Sequence, residues 1–79
     1  MKRLNEMIKG DFGKVAMIRG KAAVHRYLLE LGITVGRIIY VVNGSADSEL
    51  EPVMVRIGRD VFSLNRDIAS NININMAKP

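Results

Sequence analysis

The stretch VHRYLLELGITVGRIIYVV, Val24 to Val42, reads as a helix, a glycine stop, a second glycine turn and a strand. Val24, Leu28 and Leu31 recur at helical spacing, with Ala23 and Tyr27 beside them, so one stripe faces a core. His25, Arg26 and Glu30 fall mainly on the opposite face, and Leu29 lies between the two. Gly32 follows Leu31 directly. A glycine there takes the left-handed conformation that closes a helix, and Ile33 folds back on Leu28 as the apolar contact of that cap. Gly36 opens a strand, Arg37–Val42. Ile38, Tyr40 and Val42 share one face of it, Ile39 and Val41 the other. A strand apolar on both faces is expected to be covered on both, as a barrel stave with the helix packed over its outside.

Outward from this unit the chain supplies short strands. Leu4, Met7 and Ile8 suit one helical turn or a lead-in that plugs a barrel end. Gly10 and Gly13 flank Asp11 and Phe12 in a predicted turn. Lys14–Arg19 is the first strand, with Val15 and Met17 on one face and Ala16 and Ile18 on the other. Asn43–Pro52, polar and acidic, reads as an extended hairpin loop. Val53–Ile57 alternates with Val53, Val55 and Ile57 inward. Gly58-Arg59-Asp60 is a tight turn, and Val61–Leu64 a short strand. Asn65–Ser70 reads as one helical turn capped by Asn65. Asn71–Met76 alternates isoleucine and asparagine, a last strand with one wet face. Five short strands predict closure, because a barrel removes exposed edges. The expected fold is mostly β: an SH3-like five-stranded barrel with a helix inserted after the first strand, as one domain over residues 1–79.

Composition narrows the function. Seventy-nine residues bury only about 60% of their unfolded surface, for a stability of roughly 4–12 kcal/mol. A deep catalytic cavity does not fit a domain of this size. The chain has no cysteine, which excludes disulfides, thiolate catalysis and iron–sulfur clusters. No run of about 18 apolar residues is present, and the start MKRLNEMIKG has no apolar signal region. A cytoplasmic location without membrane insertion is the expectation. Net charge is +4, with eight Lys/Arg against three acids in residues 1–37. The basic residues are scattered, which fits a solvated surface. A nucleic-acid-binding barrel is the competing reading of that charge.

The ordered pattern resembles the FeoA (ferrous-iron transport protein A) family. G-x-x-G-x-V-x-x-I-x-G (Gly10, Gly13, Val15, Ile18, Gly20) precedes L-L-E-L-G-I-x-x-G-x-x-I-x-V (Leu28 to Val41). P-V-x-V-x-x-G (Pro52, Val53, Val55, Gly58), Leu64, Ala69 and the pair Ile72 and Ile74 follow. The resemblance implies a small cytoplasmic partner of FeoB, the membrane ferrous-iron transporter that carries a GTPase domain. The same fold occurs as the C-terminal domain of iron-dependent repressors; without a helix-turn-helix segment ahead of it, the free-standing form is expected. Three features differ from the family pattern. Val35 stands where proline is frequent, the inserted helix carries less arginine, and Ser45–Glu51 is longer and more acidic.

No constellation for catalysis is legible, so no enzyme activity and no cofactor are expected. His25 is the only histidine, and Glu30 lies about 140° around the helix from it, a poor co-ligand. Asp47, Glu49 and Glu51 alternate in a loop that reads as solvated. Only the family name links the chain to a transition metal; none of its residues is assigned to one. Ser63 and Ser70 have no histidine at useful spacing. The glycines Gly10, Gly13, Gly32, Gly36 and Gly58 read as structural turns. The candidate partner-binding residues are Leu29, off the core stripe, and Met54, opposite Val53 and Val55, with Tyr27, Arg26 and Arg37 beside them. A second insertion turn, or a neighbouring copy held by weak self-association, would cover the same residues.

Overall fold

Among the described residues, strand alternation and glycine-closed turns produce six antiparallel strands and two α-helices. The structure is a computed structural model and describes residues 1–44 and 52–76. The strands are β1 Lys2–Arg3, β2 Phe12–Ile18, β3 Ile38–Asn43, β4 Val53–Ile57, β5 Asp60–Leu64 and β6 Ile72–Met76. Helix α1 is Ala22–Glu30, between β2 and β3, and α2 is Arg66–Ala69, between β5 and β6. The sheet order is β1-β6-β2-β3-β4-β5, so the last strand sits between the first two. No helix among the described residues is long and apolar enough to cross a membrane.

One core lies against one face of the sheet. Val15, Ile39, Val41, Val53, Val55, Ile57, Leu64, Ile72 and Ile74 point into it. Leu4 and Met7 close it from the N-terminal segment, where a two-residue strand leads into a 3-10 turn, Leu4–Glu6. The lead-in and the helical turn expected there are thus both present. The extra strand β1 pairs through Lys2 and Arg3 with β6, which raises the five expected strands to six.

Helix α1 is tied to the core by its C-terminal cap. The Gly32 N–H donates to the Leu29 carbonyl at 3.0 Å and the Ile33 N–H to the Leu28 carbonyl at 2.9 Å. With Gly32 at φ 81°, this is the double hydrogen bond of a Schellman close. It folds Ile33 onto Leu28, and both are fully buried. At the other end Lys21 occupies the cap position in an extended conformation and makes no side-chain cap hydrogen bond. Lys21→Asp is expected to stabilise the chain by about 1 kcal/mol. The opposite change is available at α2, where Asn65 Oδ1 accepts the Ile68 N–H at 2.8 Å, as its position in the sequence predicted. Asn65→Ala is expected to cost about 1 kcal/mol. Urea denaturation of the two variants checks both signs.

Several expectations are corrected. β3 is covered on one face only: Ile38 is 47% exposed and Val42 39%. Helix α1 inserts Leu28 among the inward-facing residues instead of lying over the outer face of β3. Ala23 and Tyr27 are exposed, so the core stripe of α1 narrows to Val24, Leu28 and Leu31. Met17 faces solvent, because the pairing of β2 with β6 slips by one residue between Val15 and Met17. The bulge reverses the alternation and sends Ile18, opposite Ile72, inward. Gly13 is not a turn residue but lies inside β2, opposite Ile39 of β3 and Met76 of β6. Gly10, Gly36 and Gly58 do sit in turns. The hairpin loop expected at Asn43–Pro52 begins later, since Asn43 is the last residue of β3; its Ser45–Glu51 segment, with Asp47, Glu49 and Glu51, lies outside the described residues.

Candidate functional site

Two surfaces hold exposed apolar side chains. The first is α1 and the turn after it. Leu29 is 64% exposed and Val35 equally so. Arg26, Tyr27 and His25 are exposed on the same helix. Tyr27 and Leu29 are two positions apart, about 200° around the helix, so they leave it on opposite flanks with Arg26 between them. Arg37 follows in the loop that leads into β3, its carbonyl accepting the Val15 N–H at 2.8 Å. Met54 belongs elsewhere. It is half-buried on the outward face of β4, opposite Asn43 and Ser63. The five candidate residues are therefore spread over the helix flanks, a loop and the outer sheet.

The second surface is that outer sheet. Register places Val61 opposite Arg56, Arg56 opposite Tyr40, and Tyr40 opposite Phe12. All four point away from the core, so they form a ridge across four strands. The Phe12 and Tyr40 rings stack with centroids 5.2 Å apart and planes 21° from parallel. The Arg56 guanidinium lies 4.4 Å from the centre of the Tyr40 ring and donates to the Gly58 carbonyl at 2.9 Å. Beside the ridge, Phe12, Gly13, Lys14, Ile38 and Asn75 line an open hollow of about 220 Å³. Sequence reading missed this surface because it expected both faces of the Arg37–Val42 strand to be covered. The available signal was Phe12, an aromatic residue one step from a strand glycine.

Among the described residues no three of His, Asp and Glu gather as a metal-ligating group. His25 stands exposed on α1. Ser70 Oγ donates to the Asp67 carbonyl at 2.6 Å, a local turn contact. What the surface offers is apolar area edged by cations.

The six-stranded antiparallel sheet with a helix inserted between β2 and β3 is an SH3-like fold, shared with solved structures of FeoA proteins. A crystal structure of FeoA, described as an iron uptake regulatory protein, is 25% identical, with a TM-score of 0.83 over 95% of each chain. A FeoA-like protein from Clostridium acetobutylicum is 27% identical, with a TM-score of 0.80 over 100% of this chain and 93% of its own. A zinc complex of Stenotrophomonas maltophilia FeoA, described as a prokaryotic SH3 domain protein, is 24% identical, with a TM-score of 0.79 over 95% of this chain and 91% of its own. Among curated proteins no sequence matches. Residues 2–76 match the FeoA domain, and the chain belongs to the FeoA family.

Proposed function

We propose that this chain is a cytoplasmic accessory protein of ferrous-iron transport that binds the FeoB transporter and modulates its GTPase cycle. The observation that carries the reading is the FeoA domain match across residues 2–76. The exposed side chains of α1 support a binding role rather than a chemical one: Leu29 offers apolar area beside the Arg26 cation. Tyr27 on the other flank of α1, Arg37 in the loop before β3 and Met54 on the outer sheet complete the proposed contact set. A binding partner shifts a conformational equilibrium only by its difference in affinity for the two states. The chain therefore acts by preferring one nucleotide state of the transporter.

The test is titration of the chain into the purified transporter and its isolated GTPase domain, with GDP and with a non-hydrolysable GTP analogue. Affinity that differs between the nucleotides supports modulation. Equal affinity for both states, or none, removes it. Leu29→Asp is expected to weaken binding roughly tenfold or more while Tm stays within a few degrees, since the side chain is exposed. Unchanged affinity in that variant would take α1 out of the contact.

A further inference from the structure

Of the ten large apolar side chains exposed among the described residues, five share one face of the sheet. Phe12, Met17, Ile38, Val42 and Val61 belong to strands and point away from the core. Three exposed cations stand among them. Arg3 and Met17 both lie opposite Asn73, Lys14 lies between Ile38 and Asn75, and Arg56 between Tyr40 and Val61. Among the described residues the strands carry one carboxylate, Asp60, and it falls opposite Ile57, whose side chain points inward. Asp11 accepts the Ile8 N–H at 3.0 Å and Glu6 the Arg3 N–H at 3.0 Å, both ahead of β2. Glu30 and Asp67 belong to the helices. The outward face is therefore apolar and cationic.

That charge selects the occupant. A second copy docked by the same face would set cation against cation. A nucleic acid would answer the cations with little stacking, because both faces of the Tyr40 ring are covered, by Phe12 and Arg56. An acidic protein surface would answer the cations and leave Met17, Ile38 and Val61 without apolar cover. An anionic bilayer answers both, with phosphates at the surface and acyl chains beneath. The hollow repeats the match at the scale of one lipid. Phe12, Gly13, Ile38 and Asn75 give it largely apolar walls, and Lys14 stands at its side. A short run of acyl chain fits there, with an ammonium beside it for the phosphate.

We propose that the outer sheet docks on membranes that contain anionic phospholipid. Phe12, Met17 and Ile38 settle at the acyl boundary, and an acyl segment enters the hollow. Lys14 and Arg3 reach the phosphates on long stems that stay in apolar surroundings. Arg56, held over the Tyr40 ring, adds its positive field. The chain lies on the bilayer and does not cross it. Three cations and a shallow apolar face make the contact weak and sensitive to salt. Helix α1 stays clear of the bilayer. Its one buried residue, Leu28, enters the core on the opposite side of the sheet, so the exposed Leu29 still faces a protein partner.

The test is co-sedimentation of the chain with vesicles of phosphatidylcholine alone, and of phosphatidylcholine and phosphatidylglycerol in equal parts. Binding to the mixed vesicles only, falling as salt rises, is expected. Lys14→Glu and Ile38→Ser are each expected to weaken it roughly tenfold. Lys14→Arg is expected to keep it, and thermal melts check that all three variants are folded. With the chain labelled with nitrogen-15, mixed-lipid nanodiscs carrying an acyl-chain spin label are expected to broaden the amides of Gly13, Lys14, Ile38 and Asn75 before those of α1. No binding to mixed vesicles at low salt, equal binding to neutral vesicles, full binding by Ile38→Ser, or broadening centred on α1 overturns the proposal. So does polyglutamate or oligouridylate, if either binds the chain more tightly than the mixed vesicles. The assay contains no transporter, so it stands apart from the nucleotide-dependent titration.

Discussion

Leu28→Ala is expected to cost about 3 kcal/mol and to lower Tm by roughly 10–20 °C. Leu28 is the one buried residue of α1. It is fully enclosed, with Ile33 folded back beside it by the helix cap. Truncation leaves a cavity that neighbouring strands cannot fill without breaking their register. Val24 and Leu31 are only partly buried and cannot replace the anchor. Against a total stability of roughly 4–12 kcal/mol, the loss is a large share. The same variant is expected to speed amide exchange across the helix before the sheet opens, because α1 is held chiefly by that side chain. Thermal melts with hydrogen exchange check both parts. A fall of only a few degrees would mean the helix is anchored elsewhere.

Gly13→Val has the second large effect, an expected loss of about 3 kcal/mol. A Cβ at Gly13 would collide with the Asn75 carbonyl oxygen and come within 2.6 Å of Ile74 Cγ2. The obstacle is backbone of the neighbouring strand, so rotamer changes do not relieve it. β2 and β6 must move apart, and β6 is the strand that joins β1 to the rest of the sheet. Urea denaturation and exchange at Ile72–Met76 measure the result. A midpoint like that of the parent chain would show that β6 yields freely at this crossing. Gly13 also lines the hollow, so the variant that weakens the sheet is expected to deform the outer face with it.

The glycine at position 13 shows where sequence reading stopped. A glycine two residues after an aspartate fits a turn by local chemistry, and the chain does turn just before it. Its requirement comes from Asn75 on β6, near the other end of the described residues, which approaches too closely for any Cβ. The bulge between Val15 and Met17 is of the same kind. Alternation puts both on one face, and only the pairing with β6 shows the slipped register.

The sequence by itself determined the helix stop at Gly32, the return of Ile33 to Leu28, the Asn65 cap, the hairpin at Gly58 and the family. These depend on interactions between residues a few positions apart, or on an ordered pattern of glycines and aliphatics. Tertiary structure alone decided which face of β3 stays open, and so which residues make the outer surface. Ile38, Tyr40 and Val42 are as apolar as a buried face would be. Whether a helix covers them depends on where α1 spends its one large buried residue, and Leu28 goes to the core. The Phe12–Tyr40–Arg56 ridge and the hollow beside it follow from that choice and from strand register, which no single stretch of sequence contains.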